Sequence, residues 1–298
     1  MTEAISNRRK RKWKNSLTAY AFLFPASVLI FVFVIYPFLN SIYLSFFDLR
    51  TYSDNLFVGW KNYSIVLNDR EFWTALKVGF SYVGILVPCQ FILGFILALI
   101  IKSGVRGTKL IKSTIYIPNM ISGIVVGTIF LFIFSFDTGL LNKFIGIFGV
   151  DPISFTTEFP MLTILIPGIW LGLGYVTLVL LAGLNEIPKT YYECAKIDGA
   201  SNLRAFFTIT LPLMKNTLIF LLVTSVAGSL QQYELSMMIT GDLYDHATTT
   251  PNYYIYNLLI YSNRRPQAIV ASLLMFIILG TLSAIMMSLM KSERSQES

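Results

Sequence analysis

Six long stretches without a charged side chain indicate that this chain folds in a lipid bilayer. They run over residues 17–47, 78–101, 113–136, 159–185, 216–233 and 266–290. About 20 apolar residues cross the hydrocarbon core of a bilayer as a helix. Of all residues, 55% are hydrophobic and 13% are charged, against about 25% charged in soluble domains. We therefore expect an all-α membrane protein with six transmembrane helices, the fifth lengthened by residues 205–214.

Lysine and arginine accumulate on alternate sides of these predicted helices. The segments rich in basic residues are 8–14, 102–112, 189–215 and 291–294, whereas the intervening segments carry fewer bases over more residues. Cytoplasmic loops of membrane proteins are enriched in Lys and Arg. We expect a basic cytoplasmic N-terminus (1–16), a transmembrane domain (17–290) and a cytoplasmic tail (291–298).

The apolar stretches lack groups for acid–base chemistry. None contains Asp, Glu, Lys, Arg or His, which proton-driven carriers and intramembrane hydrolases usually bury. The glycine spacing of residues 104–109 differs from that of a phosphate-binding loop, and the single His246 has no clustered metal ligands beside it. We predict neither an enzyme nor a metal site, and an energy source outside the chain. Sodium coupling through carbonyls and hydroxyls stays open.

A polar segment, residues 186–212, separates the fourth and fifth stretches. Pro188 suits the first position of a helix, and Gly199 suits the residue after a helix end. This spacing predicts a short helix on the cytoplasmic side. One interpretation is a solvated loop helix whose charges only keep it out of the lipid, and the other is a docking element.

The docking interpretation rests on a resemblance. The segment resembles the E-A-A-x-x-x-G-x(9)-I-x-L-P loop of bacterial ABC importer permeases, with Cys194 in place of the usual alanine. In that family, this loop forms a coupling helix that docks into a groove of the cytoplasmic ATPase. The resemblance implies the type I ABC importer permease architecture. It assigns ATPase coupling to Glu193, Cys194, Ala195, Asp198, Gly199, Ile209, Leu211 and Pro212.

Further stretches resemble the maltose-type carbohydrate permeases, specifically the first of two paired subunits. They are residues 57–63, 116–130, 137–142, 169–200 and 248–258, whereas residues 240–250 and 263–274 depart from the family pattern. The resemblance implies a sugar or oligosaccharide importer in a bacterial cytoplasmic membrane. Its partners would be a second homologous permease, a homodimeric ABC ATPase that binds ATP and Mg, and an extracytoplasmic solute-binding protein, which we expect on the outer loops 48–77 and 234–265. This chain itself would need no cofactor.

A sugar within the membrane requires neutral hydrogen-bonding groups and aromatic faces. By resemblance, residues 170–176 and 229–235 correspond to segments that contact sugar. The candidates for the substrate path are Asn119, Ser122, Trp170, Gly172, Gly174, Tyr175, Thr177, Gln231, Gln232, Tyr233 and Glu234. Trp170, Gly174 and Thr177 share one helical face. Taken singly, such residues more often pack helices or anchor them at the membrane interface.

Two pairs of glycines have the spacing of helix-packing motifs. Gly123 and Gly127 form one pair, and Gly168 and Gly172 form the other. Small residues at this spacing let helices approach closely in lipid. The seams join helices within the chain in one interpretation and meet the second permease in the other.

Two alternative functions stay open. An importer of a polyol or of a glycerol phosphate-like solute would share this architecture. A phosphate group favours Arg or Lys partners, and the apolar stretches contain none, which favours a neutral sugar. A self-contained secondary carrier is the alternative from another class, and insensitivity of its transport to vanadate would distinguish it.

Overall fold

Helices form most of this computed structural model, which describes residues 20–49, 55–240 and 247–294. The predictions for residues 1–16, for His246 and for the last residues of the tail concern parts of the chain outside these ranges. The chain divides into two compact units, Met1–Leu67 with Arg264–Leu273 and Asn68–Asn263 with Leu274–Ser298.

The first unit contains a long apolar helix and a small hairpin. Its elements are α1 (Tyr20–Leu44), β1 (Phe47–Asp48), β2 (Leu56–Phe57) and α2 (Lys61–Leu67), and the two strands pair antiparallel with Phe47 opposite Phe57. The buried Asn62 amide closes the hairpin, because its Nδ2 donates to the carbonyl oxygens of Ser45 at 2.9 Å and Phe47 at 3.0 Å. Gln267, also in this unit, donates to the Asn62 Oδ1 at 3.3 Å.

The second unit contains the remaining helices. These are α3 (Arg70–Lys102), α4 (Thr108–Tyr116), α5 (Gly123–Phe134), α6 (Leu140–Gly146), α7 (Phe155–Glu158), α8 (Pro160–Glu186), α9 (Lys189–Ile197), α10 (Asn202–Ala205), α11 (Leu211–Leu213), α12 (Lys215–Leu230), α13 (Glu234–Ile239) and α14 (Pro251–Tyr256). A last helix, α15 (Arg265–Arg294), begins in the first unit and continues into the second. Its length suits a membrane span.

Five helical segments within the described residues are long and apolar enough to span a membrane. They are Tyr20–Leu44, Arg70–Lys102, Pro160–Glu186, Lys215–Ile239 and Arg265–Ser288. A bent pair, Thr108–Met120 and Gly123–Phe134, provides a sixth crossing if it is counted as one span. The predicted fold class is thereby confirmed.

Two spans differ from the expectation. The third is broken, because its two helices meet at 97°. Ser122 starts the second of them by accepting a hydrogen bond from the Ile124 N–H at 3.3 Å, as an N-cap does. The fifth span covers Lys215–Ile239 and so continues past residue 233, while the helical residues 202–213 lead directly into it.

The glycine pairs pack helices within this chain. A Cβ on Gly127 of α5 would lie 2.6 Å from the Met238 Cβ of α13. A Cβ on Gly168 of α8 would collide with the Tyr82 hydroxyl of α3. Both seams therefore bring helices of one subunit together, which supports the first of the two interpretations.

An apolar core of the second unit lies among α3, α8 and α12. Ala98, Val176, Leu180, Leu184 and Leu221 are buried there. This core fixes the ends of α3 and α8 next to the start of α9. It therefore gives the polar segment a rigid base.

Candidate functional site

A cavity of about 420 Å³ lies among the helices of the second unit. Its walls come from α3, α8 and α12, from the bend between α4 and α5, and from the break before α13. The lining residues are Tyr82, Leu86, Gln90, Asn119, Gly123, Gly168, Leu171, Gly172, Tyr175, Val176, Thr224, Ser225, Gly228, Ser229, Gln231, Gln232, Tyr233, Glu234 and Leu235. The size suits a small ligand rather than a wide channel.

Most of the predicted substrate-path residues meet at this cavity. Those in its lining are Asn119, Gly172, Tyr175, Gln231, Gln232, Tyr233 and Glu234. They come from separate stretches of sequence, which the fold brings to one place. Their contact with a substrate stays a prediction.

The predicted face of Trp170, Gly174 and Thr177 lies outside the cavity lining. Trp170 is 39% exposed, and its ring lies 5.9 Å from that of Phe130. The Thr177 hydroxyl donates to the Leu173 carbonyl within its own helix at 2.7 Å. Trp170 is exposed beside Phe130, Gly174 and Thr177 are buried, and these positions lie one residue out of phase with the cavity wall.

Two further candidates determine how the α4–α5 region is placed. A Cβ on Gly174 would collide with the Ile115 carbonyl oxygen and would lie 2.8 Å from the Tyr116 Cα. Gly174 thus permits backbone contact between α8 and α4. Ser122 is the N-cap of α5. Together they hold the bend from which Asn119 reaches the cavity, where its Nδ2 donates to the Leu171 carbonyl at 3.4 Å.

Gln90 is a cavity residue that the sequence analysis did not identify. Its side chain is 4% exposed, and its Nε2 donates to the Gly168 carbonyl at 3.0 Å. A Cβ on Gly172 would collide with this amide. The available signal was a single amide within the uncharged stretch 78–101, since a buried polar group in lipid requires a partner.

The cavity lining is mostly apolar, and the polar groups that it does carry are almost all uncharged. Among the described residues of the lining, only Glu234 carries a formal charge. Its side chain packs on Gly123, where any Cβ would collide with the carboxylate. Amides, hydroxyls and tyrosine rings supply the rest of the polar surface. Such a surface hydrogen-bonds to a neutral, oxygen-rich ligand and offers no cation to an anionic one.

Gln232 also shapes the backbone at the cavity. When its amide is oriented so that both polar atoms meet complementary partners, its oxygen accepts a hydrogen bond from the Leu235 N–H at 2.7 Å. This bond caps the first turn of α13. The Gln231 amide instead donates to the Ala227 carbonyl one turn earlier, at 3.1 Å, and stays exposed.

The polar segment contains the expected short helix, α9, which spans Lys189–Ile197. Gly199 has a φ of 74°, the left-handed conformation that ends helices. The Ala200 N–H closes the end by donating to the Ala195 carbonyl at 2.8 Å. The predicted short helix between Pro188 and Gly199 is therefore present.

The predicted coupling residues lie on and just after α9. Glu193, Cys194, Asp198, Gly199 and Pro212 are exposed, whereas Ala195, Ile209 and Leu211 are partly buried. Ile209 belongs to a π-helical turn, Phe206–Thr210, which leads directly into α11. The exposed part forms a polar surface, and the partly buried part attaches it to the helices below. The role of these residues in coupling stays a prediction.

A network that the sequence analysis missed ties α9 to three other elements. Lys102, at the end of α3, donates from Nζ to the Leu184 carbonyl in the last turn of α8, at 2.6 Å. The same Nζ lies 5.3 Å from the centre of the Tyr192 ring on α9. The Tyr192 hydroxyl is in turn hydrogen-bonded to the Thr210 hydroxyl at 2.9 Å. These contacts link α9 directly to α3 and to the turn Phe206–Thr210, and to α8 through Lys102.

The described residues contain no group of three or more His, Cys, Asp or Glu side chains that could hold a metal ion. What the second unit does contain is a cavity among apolar helices, lined by several uncharged polar groups, and a short exposed helix in contact with the ends of those helices. This combination defines a multi-pass α-helical membrane permease.

The family follows from comparison with known proteins. The chain belongs to the family of binding-protein-dependent transport system inner membrane components, whose model matches residues 90–294. This match confirms the resemblance to ABC importer permeases. The chain is a multi-pass membrane component of a transport system that depends on a binding protein.

A curated relative and two solved structures extend the match over most of the chain. The chain is 32% identical over 253 residues to the trehalose/maltose transport system permease protein MalF of Thermococcus litoralis, covering 83% of this chain and 85% of the relative. A crystal structure of a bacterial ABC transporter involved in the import of the acidic polysaccharide alginate matches with a TM-score of 0.81 and 22% identity, covering 95% of this chain and 98% of that chain. The alginate transporter in complex with an alginate pentasaccharide-bound periplasmic protein gives 0.79 and 23%, covering 93% and 94%. The two structures have the same fold as this chain.

Proposed function

We propose that this chain is the permease subunit of an ATP-driven importer for a sugar or oligosaccharide and forms half of a heterodimeric translocation pathway. The observation that carries the proposal is the cavity, in which uncharged amides from three separate spans and tyrosine rings lie within a largely apolar lining. Neutral hydrogen bonds and ring faces suit a ligand rich in hydroxyl groups. The trehalose/maltose relative belongs to a sugar transport system, which supports the same substrate class.

The charge of the cavity indicates which of the candidate solutes it can bind. With Glu234 as the charged residue among its described lining residues, the cavity repels an anion more than it attracts one. This favours an uncharged sugar over a glycerol phosphate-like solute, and it leaves an uncharged polyol as the nearest competitor. An acidic saccharide would need cations from the second permease.

Coupling to ATP hydrolysis is proposed to pass through α9. Its end carries an exposed apolar residue, Ile197, which is 86% exposed beside the polar Glu193 and Asp198. An apolar side chain surrounded by polar ones is the composition of a protein-docking surface. We assign this surface to a cytoplasmic homodimeric ABC ATPase that binds ATP and Mg, so that this chain needs neither a cofactor nor a catalytic residue of its own. Both termini would then be cytoplasmic.

The opposite side of the membrane is proposed to receive the solute-binding protein. The alginate transporter has been captured with its loaded periplasmic protein, which supports such a partner for this family. The loops at residues 55–69 and 247–264 follow the first and fifth spans. In the predicted topology, these loops lie on the side of the membrane opposite to α9. A second homologous permease would complete the cavity.

Co-purification of the tagged permease in mild detergent tests the assembly. We expect a second six-span protein and an ABC ATPase to come down with it. The Glu193→Lys variant should lose the ATPase, because it reverses a charge on the docking surface, and Gly199→Asp should do so because it strains the left-handed helix end. Glu158→Lys, an exposed acid on the short helix α7, is the matched control and should retain the ATPase.

Transport in proteoliposomes tests the activity. Uptake of a neutral sugar should require the loaded binding protein and ATP and should stop with vanadate. Uptake that continues without ATP, in a permease that purifies alone, would instead establish a secondary carrier. Uptake of a polyol but of no sugar would reassign the substrate.

A further inference from the structure

The fifth span is interrupted where it lines the cavity. Helix α12 ends at Leu230 and α13 begins at Glu234, so that Gln231–Tyr233 run outside regular helix. The N–H groups of Gln231 and Gln232 still bond within α12, to the carbonyls of Gly228 and Ser229 at 3.2 Å each. The carbonyl groups of Gln231 and Gln232 have lost their helical partners. Irregular backbone at membrane depth persists only where such groups are satisfied by the protein or by water.

A distant segment satisfies both carbonyls. We call residues Thr248–Asn252 the threonine wedge. The Thr250 hydroxyl donates to the Gln232 carbonyl at 2.7 Å, and the Asn252 amide donates to the Gln231 carbonyl at 2.8 Å. The two donors lie two residues apart and bind two successive carbonyls, so the wedge takes the place of the missing turn of helix.

The threonine wedge is itself held firmly. Thr248 and Thr250 are fully buried, and Pro251 packs on α3, where a Cβ on Gly79 would lie 2.6 Å from the proline Cδ. Just beyond the wedge, the Tyr254 hydroxyl donates at 2.7 Å to Asp69, the residue that caps the start of α3. The donors therefore have fixed positions, and their hydrogen bonds hold the backbone of the break in place.

We propose that Thr250 and Asn252 are positioning residues that place the side chains of Gln231 and Gln232 for sugar binding in the cavity. Gln231 is exposed to the cavity, and Gln232 caps α13, which carries Glu234. If either donor is lost, the backbone of the break is no longer held. The side chains of Gln231, Gln232 and Glu234 then shift as a group. This inference rests on the proposed function, and it deepens it by naming residues of the predicted outer loop that determine how sugar is held.

The test uses the complete transporter, with its second permease, ATPase and binding protein, in proteoliposomes. The readout is the number of sugar molecules taken up per ATP hydrolysed at saturating loaded binding protein. Thr250→Val removes the hydroxyl and keeps the side-chain shape, and Asn252→Asp replaces the donating amide by an acceptor. We expect both to lower the ratio about fivefold or more, the effect of one buried hydrogen bond, while the loaded binding protein still stimulates ATP hydrolysis.

Two variants separate positioning from general packing. Thr250→Ser restores the donor and should restore the ratio. Thr248→Val is the matched control, because the buried Thr248 Oγ1 has no hydrogen-bond partner among the described residues. It should keep the wild-type ratio.

Each outcome decides the proposal. A wild-type ratio in Thr250→Val and Asn252→Asp overturns it, as does an equal fall in Thr248→Val or a failure of Thr250→Ser to recover. A parallel loss of uptake and ATP hydrolysis shows a folding defect of the complex and overturns it too. If the unaltered complex takes up no sugar, the proposed function fails, whatever the variants do.

Discussion

Gly172 and Gln90 show how one missing side chain makes room for another. The Gln90 amide occupies the space in which a residue larger than glycine would place its Cβ. From there it reaches the carbonyl of Gly168, one turn earlier on the same helix. A polar group is thus presented to the cavity from an otherwise apolar helix, α3.

The first prediction is that Gly172→Ala impairs transport. The added methyl group must displace Gln90 and break its bond to Gly168, because both lie in a closely packed interface. We expect uptake of sugar by the reconstituted transporter to fall about tenfold. Gly84→Ala is the control, since a Cβ on this α3 glycine would have nothing within 4 Å. Equal uptake in the two variants would contradict the role given to Gly172.

At the residue scale, the sequence indicates which residues are polar but not which way they face. The resemblance of residues 229–235 to the carbohydrate permeases, together with their polar chemistry, predicts Gln231, Gln232 and Glu234 for the substrate path. Trp170 has the chemistry of a sugar-stacking residue, yet it packs beside Phe130. A shift of one position along a helix rotates a side chain by about 100°, and only packing against neighbouring helices fixes that rotation.

The short helix α9 is held at its base by contacts with other elements. Tyr192 lies between the Lys102 ammonium and the Thr210 hydroxyl. The hydroxyl bond attaches α9 to the π-helical turn Phe206–Thr210, which leads into the fifth span. This attachment gives a mechanical path from the proposed ATPase surface to the helix that carries the cavity amides.

The second prediction is that Tyr192→Phe weakens coupling. The variant keeps the ring beneath Lys102 and removes the bond to Thr210. Sugar uptake per ATP should fall about threefold, as expected for one partly buried hydrogen bond. Thr210→Val should have the same effect, and the double variant should be no worse than either single one. Additive losses would show that the two hydroxyls act separately.

Elements defined by local signals are the ones that the sequence predicts best. Helix α9 has a proline before its start and a glycine after its end, and both act within the helix itself. The bend of the third span has only a weak signal, a serine before Gly123 inside a continuous apolar stretch. At the break of the fifth span, the free carbonyls are bound by donors from Thr250 and Asn252, about twenty residues away. No local sequence pattern predicts these hydrogen bonds.

On the scale of the whole molecule, one span has an exposed apolar surface. No residue in the apolar window of α1 is buried. In a bilayer, such a helix can face lipid or a second subunit. Since the proposed transporter is a heterodimer, its subunits should stabilise each other by mass action.

The third prediction is that the second permease raises the thermal stability of this one. In detergent, the midpoint of thermal unfolding should rise by at least about 5 °C when both permeases are co-expressed and purified together. A monodispersity assay after heating measures this midpoint. Co-expression with an unrelated six-span protein is the control and should leave it unchanged. An unchanged midpoint with the second permease would contradict the prediction, because it would show that the partner does not stabilise this subunit.

The cavity is a property of the assembled helices, and the sequence shows its components only in part. Its wall combines residues from four separated stretches of sequence, among them Gln90 and Tyr82 from the apolar stretch 78–101. The class of protein is nevertheless predictable, because uncharged stretches and the polar segment between the fourth and fifth spans are visible without tertiary contacts.

The break in the third span also has a consequence for how the protein is made. Helix α5 has 12 residues and is therefore about 18 Å long, shorter than the roughly 30 Å apolar core of a bilayer. A helix this short does not cross that core by itself. Its packing partner at Gly123 and Gly127 is α13, which is synthesised about a hundred residues later. The native packing of the middle of this chain can therefore be completed only after its later helices have been translated.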